Sequence, residues 1–310
     1  MKYSEAIRKA IDEQLTSKQS LYVFGQDIVG WGGYGEVLKG LSDKFPEKFF
    51  DTPIAEAATT GIATGMAMTG KPTFVEFAFF DFIFHASDQI INNASKIRFF
   101  SNNKIPLPLT LYATLNSNRK YGATHSQSLE YIFANIPGLE VLFPTNVTDA
   151  YQMLKSTLNN QNPSLFVTHK HLLDNEFKPK SIENGKARIL SKGKDLTIFS
   201  YGRSVEMIRE ILEESQIDQI ELIDLRYLTT IDYDTLIQSV LQTKRILAVE
   251  EGYGVITNKI LGKIATLTSN QNIEFHSLNS KFECIGISNQ NKVLLNKTQI
   301  KEKVQSIISK

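Results

Sequence analysis

DTPIAEAATTGIATGMAMTGKPTFVEF, residues 51–77, is the stretch that decides the fold. Thr52 is a suitable N-cap, Pro53 stands at the first helical position, and a body of small residues runs to Gly70, which predicts a tightly packed helix. FVEF follows as a short apolar run that is typical of a buried strand. The stretch therefore predicts a helix followed by a strand, which is the building unit of an α/β sheet.

The segments on either side continue this alternation. Ser4 is a candidate N-cap for a first helix, and residues 82–100 and 147–160 predict further helices. The predicted strands are LYVFG (21–25), PLPLTLYAT (106–114), LEVLFP (139–144) and PSLFVTH (163–169). Because strands and helices alternate along the chain, we expect a doubly wound parallel sheet.

A second α/β unit follows a polar segment at residues 178–194. This segment contains Pro179, Gly185 and Gly193, and it is the candidate linker. A chain of 310 residues also exceeds what one hydrophobic core usually serves. We therefore expect one domain over residues 1–185 and another over residues 186–310.

Charge and cysteine content limit the classes of function. Lys and Arg total 34 against 33 for Asp and Glu, so the chain has no net field that would gather nucleic acid or an anionic membrane. The most apolar stretch, residues 74–91, is broken by Glu76, Asp81, His85 and Asp88, which argues against a membrane span. The balanced charge favours a small-molecule or protein partner. The single cysteine and the charged opening segment predict a cytoplasmic protein.

Several polar residues are candidates for a site, and each has a simpler structural explanation. Glu56 near a helix N-terminus is favoured by the helix dipole alone. Glu76 lies within an apolar strand, where a charge needs either an ion-pair partner or a functional site. His125, in the loop segment GATHSQS, has the chemistry of an acid or base near neutral pH but also suits an exposed loop.

The phenylalanine and histidine patterns give weaker indications of a functional site. Phe77, Phe79, Phe80, Phe82 and Phe84 form a cluster that is usually hydrophobic core. His169 and His171 lack the cysteine or carboxylate spacing of a zinc site, and no metal site is predicted in this chain. The sequence also has no glycine-rich phosphate loop of the dinucleotide or P-loop kind, so a phosphorylated cofactor would need residues from elsewhere.

Read together, a series of segments resembles the beta subunit of the thiamine-diphosphate-dependent 2-oxoacid dehydrogenase decarboxylase component. The segments are GQDI (25–28), FDTPIAEAATTGIATGMAMTG (50–70), FVEF (74–77) followed by DF (81–82), DQIINNASKIR (88–98), GATHSQSLE (122–130), IPGLEVLFPTNVTDA (136–150) and HKHLL (169–173). The resemblance is strong over about the first 175 residues, and IDLRYL and VEEG extend it weakly into the second half.

The resemblance implies a fold, a cofactor and partners. The fold would be a pyrimidine-binding, doubly wound parallel-sheet domain followed by a transketolase-type C-terminal α/β domain. Thiamine diphosphate would lie between this chain and an alpha subunit, which would hold most of the pyrophosphate and Mg²⁺ contacts in an alpha2beta2 assembly. A small 2-oxo acid would be decarboxylated, and the acyl unit would pass to a lipoyl group on an acyltransferase component.

The resemblance also implies roles for individual residues. Glu56 would hydrogen-bond a ring nitrogen of the aminopyrimidine and so activate the thiazolium carbon. Phe82 would pack on the pyrimidine ring, and His125 would assist the intermediates or the acyl acceptor. Gln26, Ala78 and Glu76 would surround the ring.

The chain departs from the family pattern at three places. Family members usually have a glutamate where this chain has Gln26, and a carboxylate relays protons in a way that an amide cannot. A glycine-rich stretch is replaced by residues 116–121, which contain Arg119 and Lys120. A proline-containing segment is replaced by IGISNQNKVLLN (285–296), a region that would dock the acyltransferase.

These departures leave two other functions open. One is a split transketolase-like or carboligating enzyme that passes a two-carbon or acyl unit to an aldehyde or sugar. The other is a scaffold subunit that kept the fold without the activity, although the retained Glu56, Phe82 and His125 argue against it.

Overall fold

The computed structural model of the chain describes residues 1–17, 21–117 and 119–309. The chain forms two compact units, Met1–Asn116 with Ile132–Ser181 and Ser117–Tyr131 with Ile182–Lys310. The loop that contains His125 therefore belongs to the second unit, although its sequence interrupts the first. Asn118, in the segment that departs from the family pattern, lies outside the described residues.

Strands and helices alternate in both halves of the chain. The α-helices are α1 (Tyr3–Thr16), α2 (Leu41–Lys44), α3 (Glu56–Met68), α4 (Ser95–Phe100), α5 (Glu130–Phe133), α6 (Val147–Leu158), α7 (Arg203–Glu214), α8 (Tyr233–Thr243), α9 (Val255–Leu267), α10 (Gln290–Val293) and α11 (Lys297–Ile308). Short 3-10 turns lie at Tyr34–Glu36, Pro46–Lys48, Phe80–Ala86, Ala123–His125 and Lys170–Leu172. No helix in the described ranges has the length and apolar character needed to cross a membrane.

The first unit is built on a six-stranded parallel sheet. Its strands are β1 (Tyr22–Gly25), β2 (Phe49–Asp51), β3 (Thr73–Phe77), β4 (Leu109–Leu115), β5 (Glu140–Leu142) and β6 (Ser164–His169), in the order β2-β1-β3-β4-β6-β5. Every residue of β3 and β4 is buried, which explains their nearly continuous apolar sequences. The doubly wound parallel sheet predicted for this half is confirmed.

The second unit has a five-stranded sheet of order β11-β10-β8-β9-β7. Its strands are β7 (Arg188–Ser191), β8 (Leu196–Ser200), β9 (Ile220–Asp224), β10 (Arg245–Glu250) and β11 (Glu274–Asn279). Strand β7 pairs antiparallel with β9 at the sheet edge and lies within the segment interpreted as a linker. Four residues with mixed burial carry too weak an apolar pattern to be recognised as a strand.

Two predicted helix starts are wrong. Helix α1 begins at Tyr3, because the backbone N–H groups of Tyr3 and Ser4 donate to carbonyl groups of Asn175 and Leu173 and need no serine cap. Helix α3 begins at Glu56 rather than near Pro53. Thr52 donates its backbone N–H to the carbonyl of Gly25 (2.8 Å), which keeps the preceding chain extended beside β1.

The single helix predicted over residues 82–100 is also wrong. The segment consists of the 3-10 turn Phe80–Ala86, a π-helix at Gln89–Ala94 and α4. The side-chain amide of Asn92 donates to the Asp88 carboxylate (2.7 Å), and that of Asn93 donates to the Asp88 carbonyl (3.3 Å). Such side-chain bonds compete with regular helical hydrogen bonding, which accounts for the irregular geometry.

Candidate functional site

The site of the first unit lies at the carboxyl ends of the parallel strands. Gln26 follows β1 and Ala78 follows β3, and these two strands are neighbours in the sheet. The chain leaves β1 towards β2 on one side and returns to β3 on the other, so the strand order reverses here. Ligands of α/β sheets bind at such a reversal. A cavity of about 740 Å³ opens at this point.

Glu56 lines this cavity from the N-terminus of α3. Its side chain is 15% exposed, so the carboxylate is shielded without being sealed from solvent. The Nδ1 atom of His85 lies 3.4 Å from Glu56 Oε2. A helix N-terminus favours negative charge, and the remaining acceptor positions of this carboxylate are suited to an N–H donor of a ligand.

Phe82 lines the same cavity, while Phe77, Phe80 and Phe84 of the predicted cluster do not. Phe77 and Phe80 are buried in the core, as predicted for the cluster. Phe79 is an exception, because it lines the cavity and meets Phe82 edge to face at 5.7 Å between ring centroids. The structure therefore divides the cluster into core rings and two rings that are available to a ligand.

Glu76 lies behind the cavity wall and is 3% exposed. Its Oε1 atom accepts the backbone N–H of Tyr34 (3.0 Å), and Oε2 is buried with no hydrogen-bond partner among the described residues. Burial raises the pKa of this carboxyl to about 7, with the charge of Asp27 acting in the same direction. Within the part of the chain that the structure describes, Glu76 thus forms no ion pair, and one of its two oxygens lacks a hydrogen bond.

A smaller pocket connects Glu76 with the cavity residues. Gln26, Glu56, Glu76 and Phe82 all line it. The Gln26 side-chain amide donates to Asp27 Oδ2 (3.0 Å). The structure thus brings together all five residues expected around the ring, with Ala78 on the large cavity.

His125 is placed in the second unit. It lies in the 3-10 turn Ala123–His125, and its Nδ1 atom is 2.8 Å from the Thr124 hydroxyl. Its loop is attached within this unit at several points. Ser117 donates its hydroxyl to Glu251 (2.9 Å), and the Lys120 backbone N–H donates to the Gln290 side chain (3.2 Å).

A buried carboxyl group, Glu130, forms the last attachment of this loop. Glu130 Oε1 accepts the Tyr201 hydroxyl (2.8 Å), while Oε2 is buried with no hydrogen-bond partner among the described residues. Burial raises the pKa of Glu130 to about 8, and the carboxylates of Glu250 and Glu251 act in the same direction. Glu251 is paired with Arg203, but Glu130 itself has no cationic neighbour among the groups that shift its pKa.

Several cavity residues were not predicted from sequence. Trp31, Tyr34, His85 and Lys170 line the cavity with the expected set. His85 follows Phe82 by three residues in a 3-10 turn, so the two share a face. The three-residue spacing of Phe82 and His85 was a usable signal in the sequence. Lys170 follows β6, and its proximity to the other cavity residues depends on the sheet order.

Comparisons with known proteins agree with this architecture. Residues 1–175 match the family described as "Transketolase, pyrimidine binding domain", and residues 185–289 match "Transketolase, C-terminal domain". In a solved structure described as "Split gene transketolase, inactive beta4 tetramer", the match covers 99% of this chain and 98% of that one, with a TM-score of 0.80 and 20% identity. At that identity the likeness concerns the fold alone.

Three curated relatives are similar in sequence. The beta subunit of the pyruvate dehydrogenase E1 component from Rhizobium meliloti (strain 1021) is 34% identical, over 82% of this chain and 57% of the relative's length. The acetoin:2,6-dichlorophenolindophenol oxidoreductase beta subunit of Cupriavidus necator is 35% identical, with coverages of 79% and 78%. The 2-oxoisovalerate dehydrogenase beta subunit of Bacillus subtilis (strain 168) is 33% identical, with coverages of 87% and 84%.

Proposed function

Because the chain belongs to the transketolase-like family of 2-oxoacid dehydrogenase beta subunits, we propose that it is one half of a thiamine-diphosphate enzyme that decarboxylates a 2-oxo acid. We assign residues 1–185 to its pyrimidine-binding domain and residues 186–310 to its C-terminal-type domain. An alpha subunit completes the site in an alpha2beta2 assembly, and the expected location is the cytoplasm.

The arrangement of Glu56 and Phe82 on one cavity carries this proposal. The imino tautomer of an aminopyrimidine needs an acceptor for its ring N–H and an apolar surface for its face, and a shielded carboxylate beside an aromatic ring fits both needs. The buried, unpartnered Oε2 of Glu76 in the adjoining pocket supports a polar ligand at the same place.

Thiamine diphosphate, when bound, supplies the nucleophilic carbon and the electron sink that loss of carbon dioxide requires. In our assignment Glu56 orients the pyrimidine and holds a proton between its carboxylate and a ring nitrogen. Phe82 fixes the plane of that ring and excludes water from one of its faces. Gln26, Ala78 and Glu76 complete the wall, and His125 exchanges protons with the substrate or the acyl acceptor.

The remaining parts of the reaction belong to partners. We propose that the alpha subunit holds Mg²⁺ and the pyrophosphate, since no group of three or more potential metal ligands lies within the described residues of this chain. The acyl unit then passes to a lipoyl group of an acyltransferase component. Strict dependence of product formation on a lipoyl domain distinguishes this reaction from carboligation to an aldehyde or sugar.

Reconstitution with the alpha partner tests the proposed function. The chain is co-purified with that partner, and reduction of an artificial electron acceptor is followed with several 2-oxo acids, thiamine diphosphate and Mg²⁺. We expect turnover that depends on all three additions. Absence of turnover with every 2-oxo acid would contradict the proposal.

Truncation of Phe82 is expected to weaken cofactor binding in the complex. Phe82→Ala removes the apolar surface beside Glu56, and we expect the KM for thiamine diphosphate to rise about 10-fold. Phe275→Ala, in β11 of the second unit, is the matched aromatic control. An equal KM in the Phe82 variant and the wild type would remove Phe82 from the ring site.

A further inference from the structure

The cavity contains a group of residues that the proposed cofactor contacts leave unused. Trp31, Tyr34, Lys39 and Lys170 line it together with Glu56 and Phe82. Lys39 and Lys170 are its two lysines, and the lining also contains the carboxylates of Asp27 and Glu36. The two lysines differ in their surroundings, and that difference indicates what the cavity binds.

Lys170 is held inside the cavity by an aromatic ring. It follows β6 at the carboxyl edge of the sheet and is half-buried. Its Nζ atom lies 4.8 Å from the centroid of the Tyr34 ring. Two hydrogen bonds fix Tyr34 in turn. Its hydroxyl donates to Oδ1 of Asn116, the residue that follows β4, and its backbone N–H donates to Oε1 of Glu76. The ring beside the Lys170 ammonium is therefore anchored by two buried residues, Asn116 and Glu76.

The charge of Lys170 is not neutralised by a direct ion pair. Lys39 Nζ lies 3.0 Å from Glu36 Oε2, and both of these side chains are about 60% exposed. No carboxylate lies within 4.0 Å of Lys170 Nζ in the described ranges, although Glu36 is near enough to interact with it through space. Among the described residues that line this cavity, Lys170 is thus the lysine without a direct ion pair and is available to an anion.

We propose that Lys170 binds the anionic group of the small-molecule substrate in this cavity. This inference rests on the proposed function, since a 2-oxo acid presents a carboxylate beside its reacting carbonyl. The shared chemistry is a small oxyanion, whether the carboxylate of a 2-oxo acid or the phosphate of a sugar phosphate. The rings of Phe79 and Phe82 line the same cavity, and an ammonium–oxyanion contact beside such apolar surface is stronger than one in open water.

The two sources of the anion predict different kinetics. A carboxylate is lost as carbon dioxide, so a contact with it stabilises the bound substrate more than the transition state. Replacing Lys170 then raises both KM and kcat. A phosphate is retained through the reaction and its contact contributes to substrate and transition state alike, so replacing Lys170 then raises KM and leaves kcat unchanged.

Trp31 provides a direct binding assay. It is the single tryptophan of the chain, it is 79% exposed, and it lines the same cavity. The full chain is titrated with pyruvate and 2-oxoisovalerate in one arm and with ribose 5-phosphate in the other. Trp31 fluorescence and calorimetry report the Kd. Lys170→Met is expected to weaken binding about 10-fold, Lys170→Arg to retain it, and the control Lys39→Met to stay within about twofold.

Each outcome of this titration decides the inference. Binding of the 2-oxo acids alone identifies the carboxylate as the ligand, and binding of ribose 5-phosphate alone identifies a phosphate. No saturable binding in either arm, equal affinity of Lys170→Met and wild type, or an equal loss in Lys39→Met would overturn it. The proposed function fails separately, through absent 2-oxo-acid turnover in the reconstituted complex even where the chain binds the anion.

Discussion

Glu56→Gln is expected to abolish hydrogen exchange at the thiazolium carbon of thiamine diphosphate bound to the reconstituted complex. The amide keeps the size of the side chain but cannot hold the proton that a carboxylate shares with a ring nitrogen. Loss of such proton control lowers rates by about 10²–10⁴-fold. Exchange is measured by proton NMR after rapid mixing with deuterium oxide and acid quench.

The control for this variant is Glu47→Gln, an exposed glutamate in the turn Pro46–Lys48 of the same unit. Cofactor binding is measured in parallel, so that lost exchange is separated from lost occupancy. Wild-type exchange in Glu56→Gln, with the cofactor bound, would refute the role assigned to Glu56.

Glu130→Gln is expected to flatten the dependence of stability on pH. The folded chain keeps a proton on Glu130 up to its pKa of about 8, whereas an unfolded chain loses it near the ordinary value of 4.5. Folded protein therefore binds more protons between these values, and the free energy of unfolding falls as pH rises through this window. At about 1.4 kcal/mol per unit, the full effect is on the order of 4–5 kcal/mol.

Chemical denaturation at intervals from pH 5 to pH 9 measures this slope. The slope is the readout, because the amide places a new N–H donor at the unpartnered Oε2 position and lowers stability at every pH. Glu302→Gln, an exposed glutamate of α11, is the control and should keep the wild-type slope. Part of the slope persists in Glu130→Gln, because burial also raises the pKa of Glu76 and Glu250. Identical slopes for Glu130→Gln and wild type would contradict the prediction.

The sheet of the first unit was predictable because its strands are buried on both faces. The runs around β3, β4 and β6 are apolar and are separated by helical segments, so their alternation appears directly in the sequence. Helix starts were less predictable. Carbonyl groups of Leu173 and Asn175 satisfy the start of α1, and those residues are distant in sequence.

Part of the candidate site could also be predicted from local sequence, and part of it depends on the tertiary fold. Glu56 and Phe82 could be named from the resemblance, since the motifs around them are local in sequence. Lys170 was also part of a quoted segment, HKHLL, but its position beside Tyr34 depends on β6 lying next to β4 in the sheet. Glu130 was part of a quoted motif, but its partner Tyr201 is 71 residues away, and no local pattern indicates that pair.

The excursion of residues 117–131 into the second unit limits how this protein can be cut and recombined. The chain passes from one unit to the other at residues 116–117, 131–132 and 181–182. Each unit is therefore encoded by two separate segments of the gene. A chimera joined near residue 185 would pair the loop of one parent with Glu251, Tyr201 and Gln290 of the other. A chimera of two relatives should therefore take residues 117–131 and the carboxyl-terminal half from the same parent.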